Sequence, residues 1–205
     1  MSHIKKELDY FHIHNGLGWN QNWFLDWSMY DGGCGAVTAC DLCIHLARQK
    51  GMNALYPYNA YNLNKKDYLE FSSIMKSYLH PSWQGIDTLE RYLAGLRAYF
   101  HHSGINILET EGLSGTLSWQ KAAKQIQEQI DSDILVPFLL LYHKNYALKD
   151  FQWHWFNLAG YEIFDTEFYV KAVTYGNFWW LNLQELWNTG YRKKGGIIHI
   201  FFIEN

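Results

Sequence analysis

The chain has 205 residues and a formal net charge of -3; 48% of its residues are hydrophobic, 18% charged and 18% aromatic. That length suits a single domain, and so many rings bury a large core, which excludes a disordered chain. There is no basic stripe and no window of 18 apolar residues, so neither nucleic-acid binding nor a membrane span is expected.

The opening segment MSHIKKELDYFHIHNG has two adjacent lysines with no apolar stretch after them, unlike a secretion signal. The cysteines, Cys34, Cys40 and Cys43, are odd in number and crowded together, which is no disulfide framework. A reducing, cytoplasmic setting is the expectation. Residues 34–49 lack proline and are apolar on nearly every face, which predicts a buried helix. Asp31-Gly32-Gly33 marks its start and Gly51 its end. Apolar residues at helical spacing predict further helices over 65–79, 87–102 and 118–131. The last third changes character. Residues 134–143, 152–159, 168–174 and 195–203 read as strands of an antiparallel sheet, with a short helix over 183–187. Helices first and strands second predict an α+β fold: one domain over 1–205, helical to about 132 and sheet from about 133.

Cys34 stands between Gly33 and Gly35 at the predicted start of the buried helix, where unpaired N–H groups favour a thiolate. The glycines would let a substrate backbone come close. Cys40 and Cys43 sit deeper in the same helix and read as core. Of the ten histidines, only His154 lies in a Trp-His-Trp context at the start of an apolar strand. Aromatic walls of that kind exclude water and hold an imidazole in one orientation, as a general base requires.

The run Gly33-Cys34-Gly35-Ala36-Val37-Thr38-Ala39 resembles a segment of papain-like cysteine peptidases of the double-glycine leader peptidase (bacteriocin-processing) branch. His154-Trp155-Phe156-Asn157-Leu158-Ala159-Gly160-Tyr161 is similar to that branch's histidine strand, and Gln21 matches the glutamine that precedes the cysteine. The resemblance spans about 18 to 203. It implies a papain-like fold in which Cys34 is the nucleophile, His154 the base, and Gln21 an oxyanion donor beside the Cys34 backbone N–H.

Two departures bear on chemistry. Where the family has an Asp or Asn that orients the histidine, this chain has Val173-Thr174-Tyr175-Gly176-Asn177. Thr174 falls closest to the expected position and Asn177 is the nearest amide; Asp165 would serve only if the hairpin around it folded back. Ala36 replaces the usual proline, which suits an early helical position.

A metal site is not expected. His12, His14, His101 and His102 lack metal-site spacing, and Cys40-x-x-Cys43 has no second pair. No cofactor is expected either. Most aromatics read as core, with Trp23, Trp155 and Trp179 placed nearest a substrate together with Gly33 and Gly35. The expected activity is cysteine peptidase-like hydrolysis of a peptide or small amide. Acyl transfer at the same site and an inactive binding or scaffold protein are the alternatives. The sequence does not indicate an oligomeric state.

Overall fold

The computed structural model describes residues 3–20, 23–24, 26–81 and 85–203. Strand β1 (His3–Glu7) opens the chain, followed by a small hairpin of β2 (His12–Ile13) and β3 (Gly16–Leu17). Helix α1 (Trp27–Gly32) is capped by Asp26, whose carboxylate accepts from the Ser28 and Met29 amides. Helix α2 (Cys34–Lys50) follows after Gly33 and stops at Gly51, whose φ of 67° is a left-handed cap. Every residue from Cys34 to Ala47 is buried, as an all-round apolar helix must be.

Helices α3 (Lys65–Tyr78) and α4 (Leu89–His102) begin on Asn64 and Thr88 caps. Strand β4 (Leu108–Ser114) leads to α5 (Trp119–Asp131), capped by Ser118. The rest is β5 (Val136–Leu140), β6 (His154–Phe164), β7 (Glu167–Thr174), β8 (Asn177–Asn182), α6 (Leu183–Trp187) and β9 (Gly195–Phe202). Strands β4-β9-β5-β6-β7-β8 lie side by side, and β1 pairs with the far half of β6, making a seven-stranded sheet. All its pairings are antiparallel. The architecture is α+β.

Two strands, β1 and β4, come from the segment expected to be helical. The sheet therefore draws on both halves of the chain, and helices do not simply precede strands. In β1 the sequence HIKKE is almost wholly exposed, and in β4 the glutamates Glu109 and Glu111 alternate with buried Leu108 and Thr110. Neither segment has the apolar run by which the other strands are recognised.

Helix α2 lies against β6. The Asn157 amide donates to the Thr38 carbonyl (3.1 Å), and a Cβ added at Gly35 would stand 3.4 Å from the Trp155 ring. The first residue of α2 thus meets the first residues of β6. Among the described residues, no helix is long and apolar enough to cross a membrane.

Candidate active site

Cys34 is the first residue of α2 and 6% exposed. The flanking glycines have packing roles. A Cβ at Gly33 would fall 2.3 Å from the Met29 carbonyl oxygen, so only glycine lets α1 end as α2 begins. A Cβ at Gly35 would stand 3.1 Å from Ile86 Cδ1. Both positions face the protein's own atoms, not open space for a substrate backbone.

His154 begins β6 and is 4% exposed. Its Nε2 lies 2.6 Å from Thr174 Oγ1, and the Tyr175 ring stacks on the imidazole at 4.6 Å with planes 6° apart. Thr174, not Asn177, is therefore the side chain that meets the imidazole. Asn177 lies opposite Thr174 in the β7–β8 ladder, but its side chain is exposed and accepts from the Phe178 amide. Asp165 sits in the hairpin turn at the other end of β6 and β7. Trp153 and Tyr175, with φ of 54° and 50°, occupy the left-handed region on either side of His154. Bulky residues are rare there, and such strain gathers at functional sites.

Cys34 and His154 line the same small enclosed space, together with Thr38, Asn157, Thr174 and Tyr175. Its volume is about 10 Å³, roughly room for one water. The backbone N–H groups of Trp155, Gly35 and Cys34 itself favour the thiolate form of Cys34.

Burial pushes the Cys34 thiol up, and the three N–H donors oppose this without overcoming it. Burial also pushes His154 down to about 3. The resting pair is a neutral thiol and a neutral imidazole, not the thiolate expected from the helix terminus. Desolvation outweighs the helix dipole here, and Thr174 brings no charge to favour an imidazolium.

Behind the pair lies a polar network that sequence reasoning passed over. Asp41, 4% exposed, accepts from Tyr10 Oη (2.8 Å) and Tyr68 Oη (2.7 Å). Burial pushes its carboxyl up to about 7 against these donors and the Trp19 N–H. Asn157 donates to Tyr10 Oη at 3.2 Å, while its buried Oδ1 has no partner among the described residues. The available signal was a lone acidic residue inside an otherwise apolar helix, two turns after Cys34.

On its other side Cys34 opens into a cleft of about 490 Å³. Its walls are Trp27, Pro81, Ile86, Leu139, Leu141 and Trp153. Trp155 is not a ligand surface: its ring is 1% exposed, stacks on Tyr92 at 4.1 Å, and donates through Nε1 to the Ile86 carbonyl (2.6 Å). Trp23 packs edge-on against Trp19 at 4.1 Å, and Trp179 edge-on against Phe151 at 5.5 Å. Neither lines the cleft; Trp27 and Trp153 hold the places expected of them. Gln21 lies outside the described residues.

Among the described residues no three His, Cys, Asp or Glu side chains gather as metal ligands. Cys40 and Cys43 are free thiols with no exposure, both pushed up by burial. Set against known family models, curated proteins and solved structures, the chain matches none.

Proposed function

We propose that this chain is a papain-like cysteine hydrolase acting on a peptide or small amide, with Cys34 as nucleophile, His154 as base and Thr174 positioning the base. One observation carries the reading. Cys34 at the head of a buried helix and His154, held by the Thr174 hydroxyl, are both buried and line one small enclosed space, and Cys34 also lines the larger cleft. A central helix lying on an antiparallel sheet, with the cysteine on one and the histidine on the other, is the arrangement that papain-like chemistry uses.

The chemistry starts from the neutral pair. When Nε2–H donates to Thr174 Oγ1, Nδ1 is left as the basic nitrogen. The thiol attacks the scissile carbonyl as its proton passes to Nδ1, giving a tetrahedral oxyanion and an imidazolium. The Cys34 N–H and the Gln21 amide are the proposed oxyanion donors, each typically worth about 2.7–4 kcal/mol. Asn20, which precedes Gln21, donates to the Tyr175 carbonyl (3.2 Å), so the chain reaches the edge of the site there. The imidazolium then protonates the leaving amine. Water attacks the resulting thioester, His154 again taking a proton, and releases the acid and the free thiol.

A second reading, an inactive binding protein of the same fold, draws on the near-complete burial of both groups and on the uncharged Thr174. Incubation with a mixed peptide-amide library, read by mass spectrometry, separates the two. Cleavage by the wild type and none by Cys34→Ala is the expected result, and added amine reports acyl transfer as a ligated product. No turnover and no thioester on Cys34 with any pool would leave only the binding reading.

A further inference from the structure

We infer that the cleft beside Cys34 binds a cationic side chain of the substrate, lysine- or arginine-like, with its stem against Trp27 and its charge on Asp31. This rests on the hydrolase reading and adds its substrate class. The polar inventory of the cleft is short. Ser28 lines it, but its hydroxyl donates to Asp26 Oδ1 (2.7 Å). Asp31 lines it too, and among the described residues its carboxylate has no hydrogen-bond or ion-pair partner. Nearby carboxylates are already matched: Asp26 pairs with Lys76, and Asp87 with Lys193 (3.1 Å) and Arg91 (3.2 Å).

Among the described residues, the one unmatched polar side chain that lines this mostly apolar cleft is therefore a negative acceptor, the exposed carboxylate of Asp31. A substrate group that fills the cleft takes part of the water from that exposed carboxylate, a loss that a cation offsets. An acidic group would be repelled, and a neutral apolar group would cost the carboxylate some of its water with no ion pair in return. A sugar needs several converging polar side chains, which the described lining does not supply. Lysine and arginine fit both halves of the surface, laying an alkyl stem on apolar walls while the head stays polar. Trp27, 74% exposed, offers an indole surface beside Asp31 for cation–π attraction. The other tryptophan of the lining, Trp153, already carries Lys193 4.9 Å from its ring centroid, and that ammonium is paired with Asp87.

The test uses Cys34→Ala protein, so that binding is read without turnover. The probes are acetyl-Ala-Ala-Lys-Ala-Ala-amide and its norleucine and glutamate counterparts, titrated by tryptophan fluorescence and by NMR. The lysine peptide is expected to bind about fivefold more tightly than the norleucine peptide, the size of a partly exposed ion pair. That ratio should vanish in Cys34→Ala/Asp31→Asn and shrink as salt is raised. Equal binding of lysine and norleucine peptides, a lysine preference that survives Asp31→Asn, or no binding of the lysine peptide overturns the assignment. A preference that depends on Asp31, in a protein whose wild type never acylates Cys34, keeps the subsite and removes the hydrolase.

Discussion

Removing the His154 imidazole should change the pH dependence of Cys34 alkylation, not only its rate. In the intact protein His154 is held down to about 3 and the Cys34 thiol is pushed up, so the neutral pair predominates from pH 5 to 8. Attack that hands the sulfur proton to the imidazole is an internal transfer, and its extent does not depend on pH between the two titrations. The wild-type rate should therefore vary less than about twofold over that range. Without the imidazole the nucleophile is the free thiolate, whose fraction falls tenfold per unit below the thiol pKa, about a thousandfold over three units. The assay is iodoacetamide labelling at pH 5, 6, 7 and 8, quantified by peptide mass spectrometry for wild type, His154→Ala and His154→Gln. Glutamine keeps a polar group facing Thr174 and controls for the cavity that alanine leaves. Cys40 and Cys43, with no exposure, stay unlabelled while the fold holds and serve as internal references. A wild-type profile that climbs tenfold per unit, parallel to the variants, refutes the Cys–His pair.

Two further predictions bear on the same residues. Thr174→Val deletes the hydroxyl 2.6 Å from His154 Nε2 and should lower kcat about tenfold with KM little changed, the scale of one hydrogen bond. Thr174→Ser should restore most of the loss, and a rise in KM with kcat unchanged would argue against a positioning role. Stability should also show two opposed pH dependences. Between about 3 and 6.5 the unfolded chain holds a proton on His154 that the folded protein lacks, so this group makes stability rise with pH. Between 3.8 and about 7 the folded protein keeps a proton on Asp41 that the unfolded chain has lost, so this group makes stability fall with pH. Each contributes about 1.4 kcal/mol per pH unit, and from about pH 4 to 6.5 they offset. His45, also pushed down by burial, adds to the His154 direction. Urea midpoints at pH 4.5, 5.5 and 6.5 should rise steeply with pH in Asp41→Asn relative to wild type, and an unchanged slope would remove the buried acid from the account.

Much of the local structure was legible in the residues. The all-apolar stretch after Gly33 could bury itself only as a central helix, and the spacing of Tyr68, Phe71 and Met75 in α3, or of Tyr92, Leu96 and Tyr99 in α4, specifies one inward face. The start of α2 placed Cys34, and the apolar run after His154 placed the histidine at the head of a strand. Short-range chemistry writes those features, so they survive without knowledge of the fold.

Packing decided the rest. The choice of Thr174 over Asn177 depends on a two-residue turn, Tyr175-Gly176, with φ of 50° and 74°, which sets the register of β7 on β8. In that register the Asn177 side chain accepts from the amide of Phe178, its neighbour in β8, and the Thr174 hydroxyl meets the imidazole. Strands β1 and β4 are strands because partners wait for them on β6 and β9, not because their own residues demand it. The cleft tryptophans are Trp27 and Trp153 in place of Trp23, Trp155 and Trp179, since distance along the chain does not tell which ring faces a void and which a neighbour. The charge state of the site belongs to the tertiary structure as well. A helix terminus near Cys34 argues for a thiolate, but how much water is removed from the sulfur and the imidazole is settled only when α2 closes on β6, and that desolvation is the larger effect.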